Sequence, residues 1–208
     1  MRLLLAILML TVGHKAVAQG TSEAILGFNN NGVASTYLGT AGWTFQVTNS
    51  VTVTQLGCLA DFFVNNSTTT PVQVGLWGSG ATALASVFVT PSSSLQGQSL
   101  YETISDLEIV PGQTYHIGVY FGGLLYSLNV AAPYLGGSLD TASFLTAISG
   151  AQTATGFASP PTESGTSGAA YLGPNFQYRT GPPVPEPACG ALLLLGGMLF
   201  AWARRRQA

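Results

Sequence analysis

Apolar and polar residues alternate along much of the chain between residues 25 and 178. In residues 43–47, and again in 51–54, every second residue is apolar, which is the period of a strand with one buried face. Turn-forming Gly, Pro, Asn and Ser residues separate these runs. The pattern predicts an antiparallel, jelly-roll-like β-sandwich. The predicted strands are 43–47, 51–56, 58–64, 72–77, 84–90, 99–109, 114–121, 124–130 and 171–178.

Two stretches of the predicted domain have a weaker pattern. Residues 91–98 read as a serine-rich loop. Residues 136–168 are rich in Gly, Ser, Thr and Ala, so we expect mostly loop there, with a strand or a short helix around 141–148 as alternatives. No segment between 19 and 180 has the helical period of about 3.6 residues over any length. We therefore expect an all-β domain over residues 19–180.

The first 18 residues differ from this domain. Met1 and Arg2 provide a positive start, residues 3–12 are apolar, and Ala16-Val17-Ala18 has the small-residue pattern of a cleavage site. This order predicts a secretory signal peptide that is cut between Ala18 and Gln19. An uncleaved N-terminal anchor is the alternative, which the short apolar run disfavours.

The C-terminal residues form a second export-related segment. A proline-rich linker at 181–187 leads into residues 188–203, which are apolar and carry no charge. A membrane helix needs about 17–25 such residues, so this run is at the short end of the range. The arginines that follow place residues 204–208 in the cytoplasm. The sequence predicts one transmembrane helix at 188–203, because a buried soluble helix is expected to show a polar stripe.

The C-terminal tail combines three parts in a fixed order, namely a Pro-Glu-Pro motif, an apolar run and a cluster of arginines, and this combination is a specific signal. Pro185, Glu186 and Pro187 precede the run, and Arg204, Arg205 and Arg206 close it. This arrangement resembles the PEP-CTERM sorting signal of bacterial surface and exopolysaccharide-associated proteins. The resemblance implies that an exosortase-like enzyme recognises the tail and cleaves near Pro-Glu-Pro. It implies export through the bacterial inner membrane, followed by residence at the cell surface or in the extracellular matrix.

A second resemblance concerns the domain itself. Its motifs are FQVTNSVTVTQLG at 45–57, VGLWGSGATALASVFV at 74–89, LEIVPGQTYHIGVY at 107–120 and GPNF at 173–176. In this order they resemble a family of secreted bacterial β-sandwich domains of unknown function. The resemblance covers nearly all of residues 19–180 and brings no catalytic residues.

Charge excludes one class of partner. Residues 19–187 contain one arginine, Arg179, no lysine and eight acids, which gives a formal charge of −7. Nucleic-acid binding needs basic side chains that replace phosphate counterions. We therefore expect no nucleic-acid partner, and a surface of neutral polar residues suited to a polysaccharide matrix.

Candidate catalytic residues are few. In strand 114–121, alternation places Tyr115, Ile117 and Val119 on the core face, and His116 with Tyr120 on the outer face. No Gly-x-Ser-x-Gly motif provides a nucleophile for His116. Asp106 and Glu108 share one strand face, as the two carboxylates of a glycoside hydrolase could. They lie just before the Pro111-Gly112 turn, however, where solvated charged residues without a catalytic role are common. The sequence predicts a protein that is not an enzyme, with a hydrolase as the remote alternative.

The sequence also contains candidate residues for sugar binding and for calcium binding. Tyr120, Tyr126 and His116 are the candidates for an exposed sugar-binding platform. Cys58 reads as a small buried apolar residue, and with Cys189 in the predicted membrane helix no disulfide or zinc site is expected. No cofactor is predicted. Structural calcium is the alternative, although the sequence contains no Asp-x-Asp-x-Asp-Gly loop that would bind it. The candidate calcium ligands are Asp61, Asp106, Glu108 and Asp140.

These observations lead to one leading functional hypothesis. We expect a non-catalytic structural or adhesive protein that is associated with exopolysaccharide. A carbohydrate-binding module, stabilised by calcium or not, is the alternative.

Overall fold

Antiparallel strands make up most of the described chain. The computed structural model describes residues 20–29, 34–37, 39–120, 122, 126–131, 138–153, 156–167 and 170–181. They belong to one compact unit, Gln19–Gly181. The strands are β1 (Ser22–Glu23), β2 (Ile25–Asn29), β3 (Ala34–Tyr37), β4 (Thr40–Val47), β5 (Val51–Leu59), β6 (Val72–Trp77), β7 (Ala83–Val89), β8 (Ser94–Gln96), β9 (Ser99–Ile109), β10 (Tyr115–Tyr120), β11 (Tyr126–Ala131), β12 (Ser138–Thr141), β13 (Leu145–Thr153), β14 (Thr162–Ser167), β15 (Ala170–Leu172) and β16 (Pro174–Thr180), with one short helix, α1 (Ala60–Asn65).

The second unit comprises Met1–Ala18 and Pro182–Ala208. The predicted signal peptide with its cleavage site, most of the linker, the membrane helix and the basic tail therefore lie outside the described residues. Within the described ranges, no helix is both long and apolar enough to span a bilayer.

Two large sheets form the body of the domain. One has the order β1-β16-β5-β9-β8, and the other has the order β14-β13-β4-β10-β6-β7. Two smaller sheets, β15-β11-β3 and β12-β2, complete it. The described strand pairs are antiparallel, which confirms the prediction of an all-β domain with antiparallel sheets.

The core lies where the two large sheets contact each other. Trp43 and Phe45 of β4 are fully buried, and their rings lie 6.0 and 5.2 Å from that of Phe176 in β16. Leu56 of β5 and Ile117 of β10 are likewise fully buried. Each such side chain contributes up to about 3 kcal/mol through burial. The alternating pattern of the sequence thus becomes a sandwich-like core.

The prediction of a strand over 58–64 is wrong beyond Leu59. Helix α1 begins at Ala60, because the adjacent Phe62 and Phe63 are both buried while Asp61 is exposed and Val64 is 73% exposed. A strand would send the two phenylalanines to opposite faces, whereas a helix keeps neighbours on one side.

The prediction of mostly loop over 136–168 is also wrong. Strands β12, β13 and β14 occupy much of it, and β13 pairs along β4 in the six-stranded sheet. Its small residues have little intrinsic strand preference, so the pairing with β4 decides the conformation. The prediction of a loop over 91–98 is wrong in the same way, because the short strand β8 lies within it and pairs with β9.

Candidate functional site

A row of small residues crosses the outer face of the six-stranded sheet. Gly42 of β4, Gly118 of β10 and Gly75 of β6 lie directly opposite one another in neighbouring strands. Because glycine has no side chain, the row forms a channel across three strands. The residues that border the channel on the adjacent rungs are Thr44, His116 and Trp77 on one side, and Thr40, Tyr120 and Gln73 on the other.

Residues 156–161, hereafter the strap, occupy this channel. The ring of Phe157 lies 5.0 Å from that of Trp77 and 6.4 Å from that of Tyr120. A Cβ atom on Gly75 would come within 2.6 Å of the Phe157 ring, and one on Gly118 within 3.3 Å of Pro160. Gly75 and Gly118 therefore leave the space that the strap needs, and Trp77 is almost fully buried beneath it.

Hydrogen bonds fasten the strap to the sheet. The Thr40 hydroxyl donates to the carbonyl of Gly156 (2.8 Å) and accepts from the N–H of Ala158 (3.4 Å). Nδ1 of His116 lies 2.8 Å from the carbonyl oxygen of Pro160. Since a carbonyl can only accept, Nδ1 carries the proton. Burial lowers the pKa of His116, and the bond to Pro160 offsets part of that effect.

The structure places two of the three predicted sugar-binding residues on the same face of one strand. His116 and Tyr120 share the outer face of β10, but both are half-buried next to the strap. Tyr126 lies in β11, opposite Tyr37 of β3, in the three-stranded sheet. The predicted platform is therefore divided between two sheets, and its β10 part is packed against the strap.

The four candidate calcium ligands lie on three different elements. Asp61 is in the first turn of α1, Asp140 is in β12, and Asp106 and Glu108 are in β9. Asp106 makes an ion pair with Arg179 of β16. Within the described ranges, no three His, Cys, Asp or Glu side chains form a group that could hold a metal ion.

The GPNF motif at 173–176 has a structural role that the sequence pattern did not reveal. The N–H of Leu59 donates to the carbonyl of Gly173 (2.8 Å), and the indole of Trp43 donates to that of Pro174 (3.0 Å). Asn175 is buried, and its amide bonds to both backbone groups of Ile25, at 3.0 and 3.1 Å. The motif thus joins β16 to β2, β4 and β5.

Two other buried ionisable groups, Cys58 and Tyr101, lie in the five-stranded sheet. Burial raises the pKa of the Cys58 thiol, which therefore stays protonated and unreactive at neutral pH. Burial, and next the charge of Glu23, raise the pKa of Tyr101, whose hydroxyl donates to the Glu23 carboxylate at 3.0 Å. Both groups fit structural roles in the five-stranded sheet.

No known protein-family model matches this chain, and a search of curated proteins found no match to it. The two resemblances described from the sequence therefore depend on the quoted residues alone.

Proposed function

We propose that this chain is the precursor of an exported bacterial protein with a non-catalytic structural or adhesive role at the cell surface or in an exopolysaccharide-rich matrix. The observation that supports it is the tail, in which Pro185-Glu186-Pro187, the apolar run 188–203 and Arg204-Arg205-Arg206 follow one another. Each part alone is a weak signal, whereas their order resembles an exosortase sorting signal.

The proposal assigns a role to every segment. Residues 1–18 direct export and are removed between Ala18 and Gln19. Residues 188–203 hold the precursor in the inner membrane, with 204–208 in the cytoplasm. An exosortase-like enzyme then cuts near 185–187 and frees the jelly-roll-like sandwich outside the cell.

The polar contacts of the domain support a structural rather than a catalytic role. His116 fastens the strap, Asp106 pairs with Arg179, and the Ser93 hydroxyl donates to Glu102 at 2.6 Å. Side chains engaged in this way hold loops and strands in place. The near absence of basic residues suits neutral polar surroundings.

The sorting step is tested with a triple variant, Pro185→Ala, Glu186→Ala and Pro187→Ala, expressed in the producing cells. We expect wild type to lose its C-terminal tail and to leave the membrane fraction, whereas the variant keeps residues 188–208 and stays there. Intact mass and cell fractionation measure both. The matched control changes Pro182 and Pro183 to Ala in the same linker and should be processed as wild type is. Normal processing of the triple variant would refute the proposal.

The adhesive role has a separate test. The processed protein, purified from the culture, is mixed with exopolysaccharide from the same cells and sedimented. Co-sedimentation supports adhesion to the matrix. A protein that binds neither this polysaccharide nor itself has no adhesive role.

A further inference from the structure

Strand β7 (Ala83–Val89) lies at one end of the six-stranded sheet, so one side of its backbone has no strand partner within the described chain. Its sequence, ALASVFV, contains no charge and no proline. Leu84 and Phe88 are 50% and 62% exposed on its outer face. A long, uncharged, apolar edge of this kind is a template for pairing with another strand.

The other edges of the two large sheets have features that prevent such pairing. Strands β1 and β8 contain two and three residues. Strand β14 carries Glu163 and Gly165, and its register with β13 is interrupted. In β7 the pairing with β6 is regular from Ala85 to Val89, and an irregularity at the start of the strand leaves Leu84 without a directly opposed β6 residue. Among these described edges, β7 lacks the short length and the charge that protect the others.

We propose that β7 pairs in antiparallel fashion with β7 of a second copy of this chain, about a twofold axis through Ser86. In this register Ser86 faces its own counterpart and Ala85 faces Val87 twice, while Leu84, at the irregular start of the strand, lies beside Phe88 of the other copy. The two exposed apolar side chains thereby cover each other on the outer face. The strand is complementary to itself, as a twofold-symmetric contact requires.

Charge also favours a second copy as the occupant. No Asp, Glu, Lys or Arg occurs between Asp61 and Glu102, so β6, β7, β8 and their connections are uncharged. The rest of residues 19–187 is acidic. Two copies can therefore meet at β7 without placing like charges opposite each other, while a cationic partner would find no counter-charge there.

Next to the edge of β7, apolar side chains that pack against the core are partly exposed. A shallow open groove runs between β7 and β9, and the partly buried Ala85, Val87, Ile104 and Leu107 in its lining pack against the core. Asp106 also lines the groove, and its charge is balanced by the ion pair with Arg179. The added strand would cover part of this apolar surface. One seven-residue edge buries less than the ~1,200 Å² of a standard interface, so we expect a weak dimer that forms at high local concentration.

The first test is disulfide trapping in the full chain, purified in detergent. Cys189→Ser removes the cysteine of the tail, and the buried Cys58 is kept. Directly opposed residues of antiparallel strands lie about 4.5–5.5 Å apart at Cα, within reach of a disulfide. Ser86→Cys should therefore give a covalent dimer under mild oxidation. Ser94→Cys, an exposed serine on the edge strand β8, is the matched control and should give at least ~10-fold less. Equal trapping of the two would overturn the proposal.

The second test measures association without a covalent bond. Ser86→Lys places two like charges face to face in the proposed register, at a position that is exposed in the fold. Sedimentation should show that it dimerises at concentrations at least ~10-fold above those of wild type, while Ser94→Lys behaves as wild type. A wild-type protein that is monomeric at ~1 mM, or a Ser86→Lys variant that dimerises normally, would overturn the proposal. Thermal unfolding confirms that both variants fold.

The contact at β7 is independent of the sorting signal and would give the proposed structural role a molecular basis. Ser86→Lys should leave tail cleavage and cell location unchanged. The triple alanine variant at 185–187 should dimerise as wild type does. Failure of one proposal is therefore visible without failure of the other.

Discussion

At the residue scale, the buried polar side chains of this domain replace backbone partners. Asn175 shows this most clearly, because its Oδ1 accepts from the N–H groups of Ile25 and Phe176 and its Nδ2 donates to the Ile25 carbonyl. One side chain thus serves three backbone groups where β2 meets β16. His116 has a comparable part at the strap, where its Nδ1–H donates to Pro160.

The first prediction concerns Asn175. In Asn175→Ala, two N–H groups and one carbonyl near the core lose their partner, and unsatisfied buried groups cost about 1–3 kcal/mol each before water enters. We expect the free energy of unfolding in urea to fall by about 2–4 kcal/mol. Asn49→Ala, at an exposed position, should change it by less than ~0.5 kcal/mol. Equal stability of the two variants would show that water replaces the amide.

The second prediction concerns His116 and pH. Because burial lowers its pKa in the folded protein, the unfolded chain binds the proton more readily. The folded state therefore loses stability as pH falls through the ordinary value of 6.5. His116→Gln removes the titration and should lose less stability over that interval. Parallel pH curves of the unfolding free energy for the two proteins would contradict the assignment.

At the element scale, the strap and the glycine row form one unit. Gly42, Gly118 and Gly75 come from strands far apart in sequence, and pairing brings them into line. The strap then packs against Gly75 and Gly118 and covers Trp77. Sequence alternation places His116 and Tyr120 on the outer face, but it contains no information about what covers that face.

The third prediction tests this unit through Gly75→Ala. The new methyl group would collide with the rings of Trp77 and Phe157, and overpacking of this kind costs about 1–3 kcal/mol. We expect lower stability and stronger acrylamide quenching of tryptophan fluorescence, because the strap must move away from Trp77. Gly80→Ala, where a Cβ atom has open space, is the matched control. Unchanged quenching in Gly75→Ala would show that the strap does not protect Trp77.

At the scale of the whole molecule, charge is distributed unevenly along the chain. The full sequence has a formal charge of −2, and five of its six basic residues lie in the two proposed export segments. Removal of these segments would leave residues 19–187 at −7. The sorting experiment thus has a second readout, because the processed protein should focus well below the pI of about 5.5 of the full sequence. The triple alanine variant, which keeps the arginines, should not show this full shift.

The positions of many strands along the chain could be predicted from alternation and turn residues. The predicted strands 72–77 and 99–109 match β6 and β9. Pro71 lies just before the first of them and Pro111-Gly112 just after the second, so these turn residues mark the strand ends. The segment 171–178 was predicted as one strand, whereas Gly173 separates β15 and β16, which belong to different sheets. Local pattern gives the extended conformation of a segment but not the sheet that it joins.

By itself, the sequence determined the all-β class, the core face of β10 and the uncharged stretch between Asp61 and Glu102, because periodicity and composition are local properties. Only the tertiary structure decided that β13 is a strand, that helix α1 follows directly after β5, and that β7 is the last strand of the six-stranded sheet. It also placed Phe157 over Gly75 and Asn175 against Ile25. These outcomes depend on partners distant in sequence, whose backbone groups and surfaces exist only once the sheets have formed.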